Sequence, residues 1–159
     1  MPICEPPELS SILFSVPSNW TGIGGTLVGD LTSSPNYPDN ATGKTYPTSF
    51  EGPVNWNDNY GTRMRGYVHP PTTGDYTFWI ASDDSSELWL STDEDPAHKV
   101  QIAGVPQWTN SREWTRFASQ QSAPIALMAG RKYYIEALAK EGGGGDNIAV
   151  RWQLPEGAW

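Results

Sequence analysis

The chain is poor in cysteine, in basic residues and in long apolar runs. Its 159 residues include a single cysteine, Cys4, which excludes an internal disulfide and a cysteine-rich zinc site. Ten Lys and Arg residues stand against 18 Asp and Glu residues, giving a formal net charge of −8. Such a field repels phosphate backbones and anionic lipids, and no run reaches the roughly 20 apolar residues of a membrane span. We therefore expect no nucleic-acid partner, no membrane insertion and a preference for cations.

Catalytic patterns are also missing. His69 and His98 are too far apart in sequence to suggest a metal pair, and neither resembles a member of a catalytic triad. Residues 22–27 begin like a dinucleotide-binding fingerprint but lack its third glycine and the surrounding βαβ pattern. Asp83 and Glu87 lie across a tight turn that does not fix the separation a glycosidase pair needs. We expect that the chain is not an enzyme.

What is present is a turn-rich, aromatic composition. The sequence has 16 glycines, 14 prolines and eight tryptophans, which favours a globular domain built of short strands. Residues 1–10 hold three prolines without any periodicity, which predicts a tail or linker. Residues 11–159 have the size of one domain. Within it, residues 19–59 are rich in Gly, Pro, Asn, Ser and Thr, which predicts a long irregular region packed by its own aromatic residues.

A period-two pattern becomes clear from Arg63 onward. In residues 148–154, alternate positions hold Ile148, Val150, Trp152 and Leu154, as expected for a strand with one buried face. No helical stripe with caps extends over 11 residues. The predicted fold class is all-β, with an antiparallel β-sandwich with long irregular loops preferred over a barrel. The predicted strands cover residues 63–69, 76–81, 87–90, 99–103, 123–128, 132–140 and 148–154.

Two adjacent acids, Asp83 and Asp84, form the first candidate site. They lie in the polar segment 81–87 between two predicted strands, where neighbouring carboxylates repel each other unless a cation or strong donors hold them. Ca²⁺ suits this role because it accepts six to eight oxygen ligands at flexible angles. The alternative is a solvated hairpin loop in which the Asp side chains cap their own backbone.

The second candidate is the segment 141–147, which contains four consecutive glycines before the last strand. Such a run costs conformational entropy, which favours a backbone with positive φ or a close approach to another group. Asp146 and Asn147 would add oxygen ligands, and the two oxygen-rich loops would converge at one tip of a sandwich. The alternative is a flexible loop.

The segments 74–90, 132–137 and 142–147, in this order, resemble the protective-antigen-type domain, abbreviated PA14, and the resemblance spans residues 20–154. It implies a β-sandwich found in bacterial toxins, glycosidases and adhesins, including lectin-like members such as the yeast flocculins. In those members two consecutive aspartates joined by a cis peptide bind Ca²⁺, and the ion coordinates sugar hydroxyls. Asp83 and Asp84 match this pair.

The resemblance also implies an Asn or Asp ligand and backbone carbonyls from the second loop. Asp146 is the favoured residue, with Asn147 as its rival. The glycine-rich loop differs from the longer loop of the fungal adhesins, which leaves the preferred sugar open. Trp108, in an irregular stretch, either stacks on a sugar ring or anchors a loop in the core.

Together these features predict a calcium-dependent carbohydrate-binding module of a larger protein that is secreted or displayed on the cell surface. Its partners would be glycans bound at Asp83, Asp84, Asp146, Asn147 and Trp108. As an isolated module we expect it to be monomeric, with weak affinity for a single sugar because a shallow site buries little area. The alternative is a structural or protein-interaction domain in which calcium only stabilises the loops.

Overall fold

The computed structural model describes residues 12–45, 49–157 and 159. The predicted tail 1–10, with Cys4, lies outside these residues. Within the described part the strands and the one α-helix are β1 (Ile12–Thr21), α1 (Val28–Thr32), β2 (Gly43–Lys44), β3 (Tyr60–Val68), β4 (Gly74–Asp83), β5 (Ser86–Ser91), β6 (Lys99–Val105), β7 (Ile125–Leu127), β8 (Tyr133–Glu141) and β9 (Asn147–Gln153). Short 3₁₀ turns cover Pro96–His98, Ala118–Gln120 and Pro155–Gly157.

The strands form two antiparallel sheets. The larger has the order β2-β1-β3-β8-β5-β6, and the smaller has the order β7-β4-β9. This arrangement confirms the all-β prediction, and each strand predicted from residue 63 onward is present with its ends shifted by a few residues. No helix among the described residues is long and apolar enough to cross a membrane.

The core lies between the two sheets. The smaller sheet contributes the alternate residues Ile148, Val150 and Trp152 of β9, as their period-two spacing predicts, and the larger sheet contributes residues such as Leu88 and Ile135. Full burial of each such side chain stabilises the fold by about 1.5 to 3 kcal/mol relative to exposure. The facing sheets therefore hold each other in a fixed position.

The N-terminal region is more regular than its composition predicts. The prediction of an irregular region beginning at residue 19 was wrong for its start, because β1 continues to Thr21 and pairs with β3. The register shifts between Ser15 and Ser18, around Pro17, as expected where a proline cannot donate to the ladder. Of the described residues between β1 and β3, 22–45 and 49–59, only those of α1 and the two-residue β2 form a helix or strand.

The central strand β8 is buried along its whole length. It lies between β3 and β5 in the larger sheet, while residues of the N-terminal region, including α1, contact it from outside. Burial on both faces places even its polar residues out of water. One of them, Glu141, ends the strand at one tip of the sandwich.

Candidate metal centre

The chain crosses between the two sheets twice at the same tip of the sandwich. The first crossing leads from the end of β4 at Asp83 to the start of β5 at Ser86, and the second leads from Glu141 to Asn147. Asp83 is the register partner of Asn147, and the backbone N–H of Asp84 donates to the carbonyl of Lys140 at 2.9 Å. The structure thus brings together the two oxygen-rich loops of the sequence.

Three acidic side chains meet where the loops touch. Asp83 and Asp84, joined by a cis peptide bond, and Glu141 each offer a carboxylate oxygen, and these oxygens all lie within 4.8 Å of one another. The first two residues are those that the sequence singled out. Glu141 lies in the second candidate segment, but its sequence position gave no reason to choose it as a ligand.

Glu141 is a buried acid that accepts no hydrogen bond through its side chain. Its side chain is 2% exposed, and neither Oε1 nor Oε2 has a hydrogen-bond partner. Burial, followed by the charges of Asp84 and Asp83, raises the pKa of Glu141 to about 8. An unpaired buried carboxylate is costly, so this position is suited to a group that supplies positive charge.

The aspartate pair is held against the glycine-rich loop. Burial and the adjacent Asp84 raise the pKa of Asp83 to about 6. Asp84 Oδ2 accepts a hydrogen bond from the backbone N–H of Gly142 at 2.9 Å. A Cβ at Gly142 would lie 3.0 Å from Thr26 Cγ2 and 3.2 Å from the Gly25 carbonyl oxygen, so this close approach favours glycine.

Basic side chains do not neutralise the three acids. Among the residues that the structure describes, the salt bridges are formed by other carboxylates. The nearby Lys140 is fully buried and donates instead to the carbonyl oxygens of Gly25 and Glu141, both at 2.7 Å. Burial lowers the pKa of Lys140.

Asp146, the favoured ligand of the second loop, is engaged in structural contacts. It is 1% exposed, its Oδ1 accepts from the backbone N–H of Trp56 at 2.6 Å, and its Oδ2 accepts from the Tyr60 hydroxyl. Burial and this hydrogen bond raise the pKa of Tyr60. Both oxygens of Asp146 therefore fasten the segment before β3 to the glycine-rich loop.

Asn147, the rival ligand, has an oxygen to offer. Its Nδ2 donates to the carbonyl of Thr109 at 3.0 Å, whereas its Oδ1 is buried with no hydrogen-bond partner. The pairing of Asn147 with Asp83 across the β4–β9 ladder places it next to the aspartate pair.

Trp108 flanks the same tip. It forms an isolated bridge with Asp83, and the next residue, Thr109, donates its N–H to the carbonyl of Ser82 at 2.7 Å. The Trp108 side chain is 41% exposed, so it does not lie in the core. The guanidinium carbon of Arg116 lies 3.6 Å from the centre of its ring, covering one face.

The donor set fits a calcium ion. Ca²⁺–oxygen distances of about 2.3 to 2.6 Å allow two ligand atoms of one ion to lie up to about 5 Å apart, and the 4.8 Å limit found here satisfies this. The available donors are carboxylate and amide oxygens, which favour hard cations over zinc or copper. The unpartnered oxygens of Glu141 and Asn147 are those that an ion would satisfy.

Comparison with known proteins gives a family and several relatives. The family model of the PA14 domain matches residues 23–158. Over 134 residues the chain is 41% identical to N-acetyl-beta-glucosaminyl-glycoprotein 4-beta-N-acetylgalactosaminyltransferase 1 of Mus musculus. The matched region covers 81% of the chain but only 13% of that protein. It is 33% identical to fibrocystin of Mus musculus over 87 residues, covering 49% of the chain and 2% of fibrocystin.

Solved structures share the fold at low sequence identity. The Epithelial Adhesin 9 A domain of Candida glabrata, in complex with Galβ1-4GlcNAc, has a TM-score of 0.63 and 14% identity, with 98% of this chain and 91% of that chain covered. An anti-sigma factor domain-containing protein from Clostridium clariflavum has a TM-score of 0.58 and 18% identity, covering 96% of this chain and 45% of that chain. With the family model matching nearly the whole described domain, the chain belongs to the PA14 domain family.

Proposed function

We propose that the chain is a calcium-dependent carbohydrate-binding module. The observation that carries the proposal is the buried Glu141, whose two oxygens have no donor although the carboxylates of Asp83 and Asp84 lie beside it. Three acids at this distance repel one another, and a divalent cation would convert that repulsion into attraction. We assign the ion to Asp83, Asp84, Glu141 and the Oδ1 of Asn147, while Asp146 supports the loop.

The chain's own residues prepare the site. The Gly142 N–H orients Asp84, and the hydrogen bond from Asn147 Nδ2 to Thr109 leaves the amide oxygen directed away from that carbonyl. When bound, calcium would offer open coordination positions to vicinal sugar hydroxyls. Asp83 and Asp84 are half-buried, so one side of the cluster faces solvent, where a glycan would enter.

The relatives support a module that binds glycans within a larger protein. Two neighbouring structures are adhesin domains in complex with Galβ1-4GlcNAc and beta-lactose. The curated relative with 41% identity is named for an enzyme of glycoprotein glycans, and the chain spans 13% of its length. We therefore assign the chain a binding role without catalysis, in a protein that is secreted or displayed at the cell surface.

The proposal is tested by glycan binding with and without calcium. The protein is applied to a broad glycan array in calcium and again with a chelator, together with Asp83→Asn and Asp84→Asn variants. Asp75→Asn serves as the matched control, because Asp75 lies exposed near the opposite end of β4 and loses the same charge. We expect binding that requires calcium and is lost in the two site variants only. Binding of no glycan in calcium would refute the carbohydrate assignment.

A second candidate function is a calcium-braced structural or interaction domain. It is favoured by the position of the acids, because an ion between Asp84 and Glu141 would fasten both connections between the sheets. Calorimetry separates the two candidates. Calcium binding without any glycan binding would support this second function, whereas a glycan that binds only in calcium would support the first.

A further inference from the structure

Arg116 and Trp108 form a stacked pair at the rim of the proposed site. The guanidinium carbon lies 3.6 Å from the centre of the Trp108 ring, which is the distance of direct contact between flat groups. Trp108 is 41% exposed, and Arg116 is exposed. Stacking fixes the plane of the guanidinium while its N–H groups at the edges remain open to a ligand.

Arg116 differs from several other cations of the chain in having no carboxylate partner. Within residues 49–157, Arg112 pairs with Glu51, Lys99 with Glu136 and Lys132 with Glu94, but no salt bridge includes Arg116. A guanidinium that is oriented by stacking and forms no salt bridge is a ready partner for an anionic group, which it can bind through two parallel hydrogen bonds.

The pair lies next to the cation cluster. The bridge between Trp108 and Asp83 fixes the Trp108 backbone beside the first aspartate, and Arg116 is stacked on the Trp108 side chain. A sugar with two hydroxyls at the cluster would therefore present its remaining substituents to Trp108 and Arg116.

We propose that Arg116, held on Trp108, makes the site selective for glycans that carry a sulfate or carboxylate group. This inference rests on the proposed carbohydrate-binding function. The chain as a whole has a formal charge of −8, so its general field disfavours anionic ligands. A preference for an acidic sugar therefore has to arise locally, and Arg116 is the residue placed to provide it.

The test uses an array that carries Galβ1-4GlcNAc and other neutral glycans beside their sulfated and sialylated forms, all in calcium. Binders are then titrated against wild type, Arg116→Gln and Arg116→Lys. Arg131→Gln is the matched control, because Arg131 is exposed before β8, at the opposite end of that strand from Glu141. All of these changes lie on exposed side chains, and thermal unfolding checks that each variant folds.

We expect acidic forms to bind wild type about five- to tenfold more tightly than their neutral parents, the range for a charged hydrogen-bonded pair that is partly exposed. Arg116→Gln should remove or reverse this preference while neutral glycans still bind, Arg116→Lys should keep part of it, and Arg131→Gln should keep all of it.

Other outcomes overturn the inference in distinguishable ways. Equal or weaker binding of acidic forms by wild type would overturn it and leave the carbohydrate assignment standing. An equal loss of neutral and acidic binding in Arg116→Gln would show that the arginine contacts hydroxyls and does not select charge. Failure of every glycan to bind in calcium would overturn both this inference and the proposed function.

Discussion

The substitution Glu141→Gln should stabilise the calcium-free protein and weaken its response to calcium. Glu141 is 2% exposed, lacks a hydrogen-bond donor and lies beside two carboxylates. The site raises its pKa from an ordinary 4.5 to about 8. One pKa unit corresponds to about 1.4 kcal/mol, and the neighbouring Asp83, whose pKa is also raised, shares part of this cost, so a neutral residue at position 141 should stabilise the calcium-free protein by about 2 kcal/mol at pH 7.5.

Calcium should narrow or remove the difference in stability between the two proteins. The glutamine lacks the charge that attracts the ion, and loss of one charged ligand should weaken calcium binding by about 10- to 100-fold. Saturation at 100 times the dissociation constant stabilises wild type by about 2.7 kcal/mol, whereas a variant that binds 10- to 100-fold more weakly gains only about 0.4 to 1.4 kcal/mol at the same calcium concentration.

Thermal unfolding in chelator and in calcium measures both effects. At about 2 to 4 °C per kcal/mol for a domain of this size, Glu141→Gln should unfold several degrees above wild type in chelator and lose about half or more of the calcium-induced shift. Glu136→Gln is a useful comparison, because Glu136 is also a buried acid of β8 but has Lys99 as its partner. A lower unfolding temperature for Glu141→Gln in chelator, or an unchanged calcium shift, would show that Glu141 is neither an unfavourable buried acid nor a calcium ligand.

Three further predictions follow from the same site. The pKa values of Asp83 and Glu141 are raised to about 6 and about 8, so the calcium-free folded chain binds more protons than the unfolded chain. Its free energy of unfolding should therefore fall as the pH rises from about 4 to 8. A free energy of unfolding, measured by urea titration, that does not change with pH would contradict this. Asp146→Ala should cost about 2 to 4 kcal/mol in chelator, because it removes both hydrogen bonds of a buried carboxylate; a loss below about 0.5 kcal/mol would count against that role. Asn147→Ala should weaken calcium binding about tenfold by calorimetry, and unchanged affinity would remove Asn147 from the ligand set.

The strands that position the site could be predicted from the sequence because their pattern is local. Alternate apolar residues in β9 identify its buried face, and the same alternation fixes which neighbours share a face. The first strand was missed, since Pro17 and the polar residues after it interrupt the alternation that a regular strand shows. Pairing with β3, which is distant in sequence, stabilises β1 despite that interruption.

The acids of the site differ in how visible they are in the sequence. Asp83 and Asp84 stand out because adjacent carboxylates need an explanation. Glu141 becomes notable only through its burial at the end of the central strand, which depends on the assembled sheet. The choice between Asp146 and Asn147 likewise depends on Trp56 and Tyr60, the partners of Asp146 from 90 and 86 positions away, and no local pattern reveals such contacts.

The most direct test of the calcium site is the anomalous scattering of crystals grown in calcium. We predict a single strong peak between the carboxylates of Asp83, Asp84 and Glu141, about 2.3 to 2.6 Å from their oxygens and within the same distance of Asn147 Oδ1. Absence of a peak at this tip would contradict the assignment. So would a peak within coordination distance of the Asp146 oxygens but not of the Glu141 oxygens.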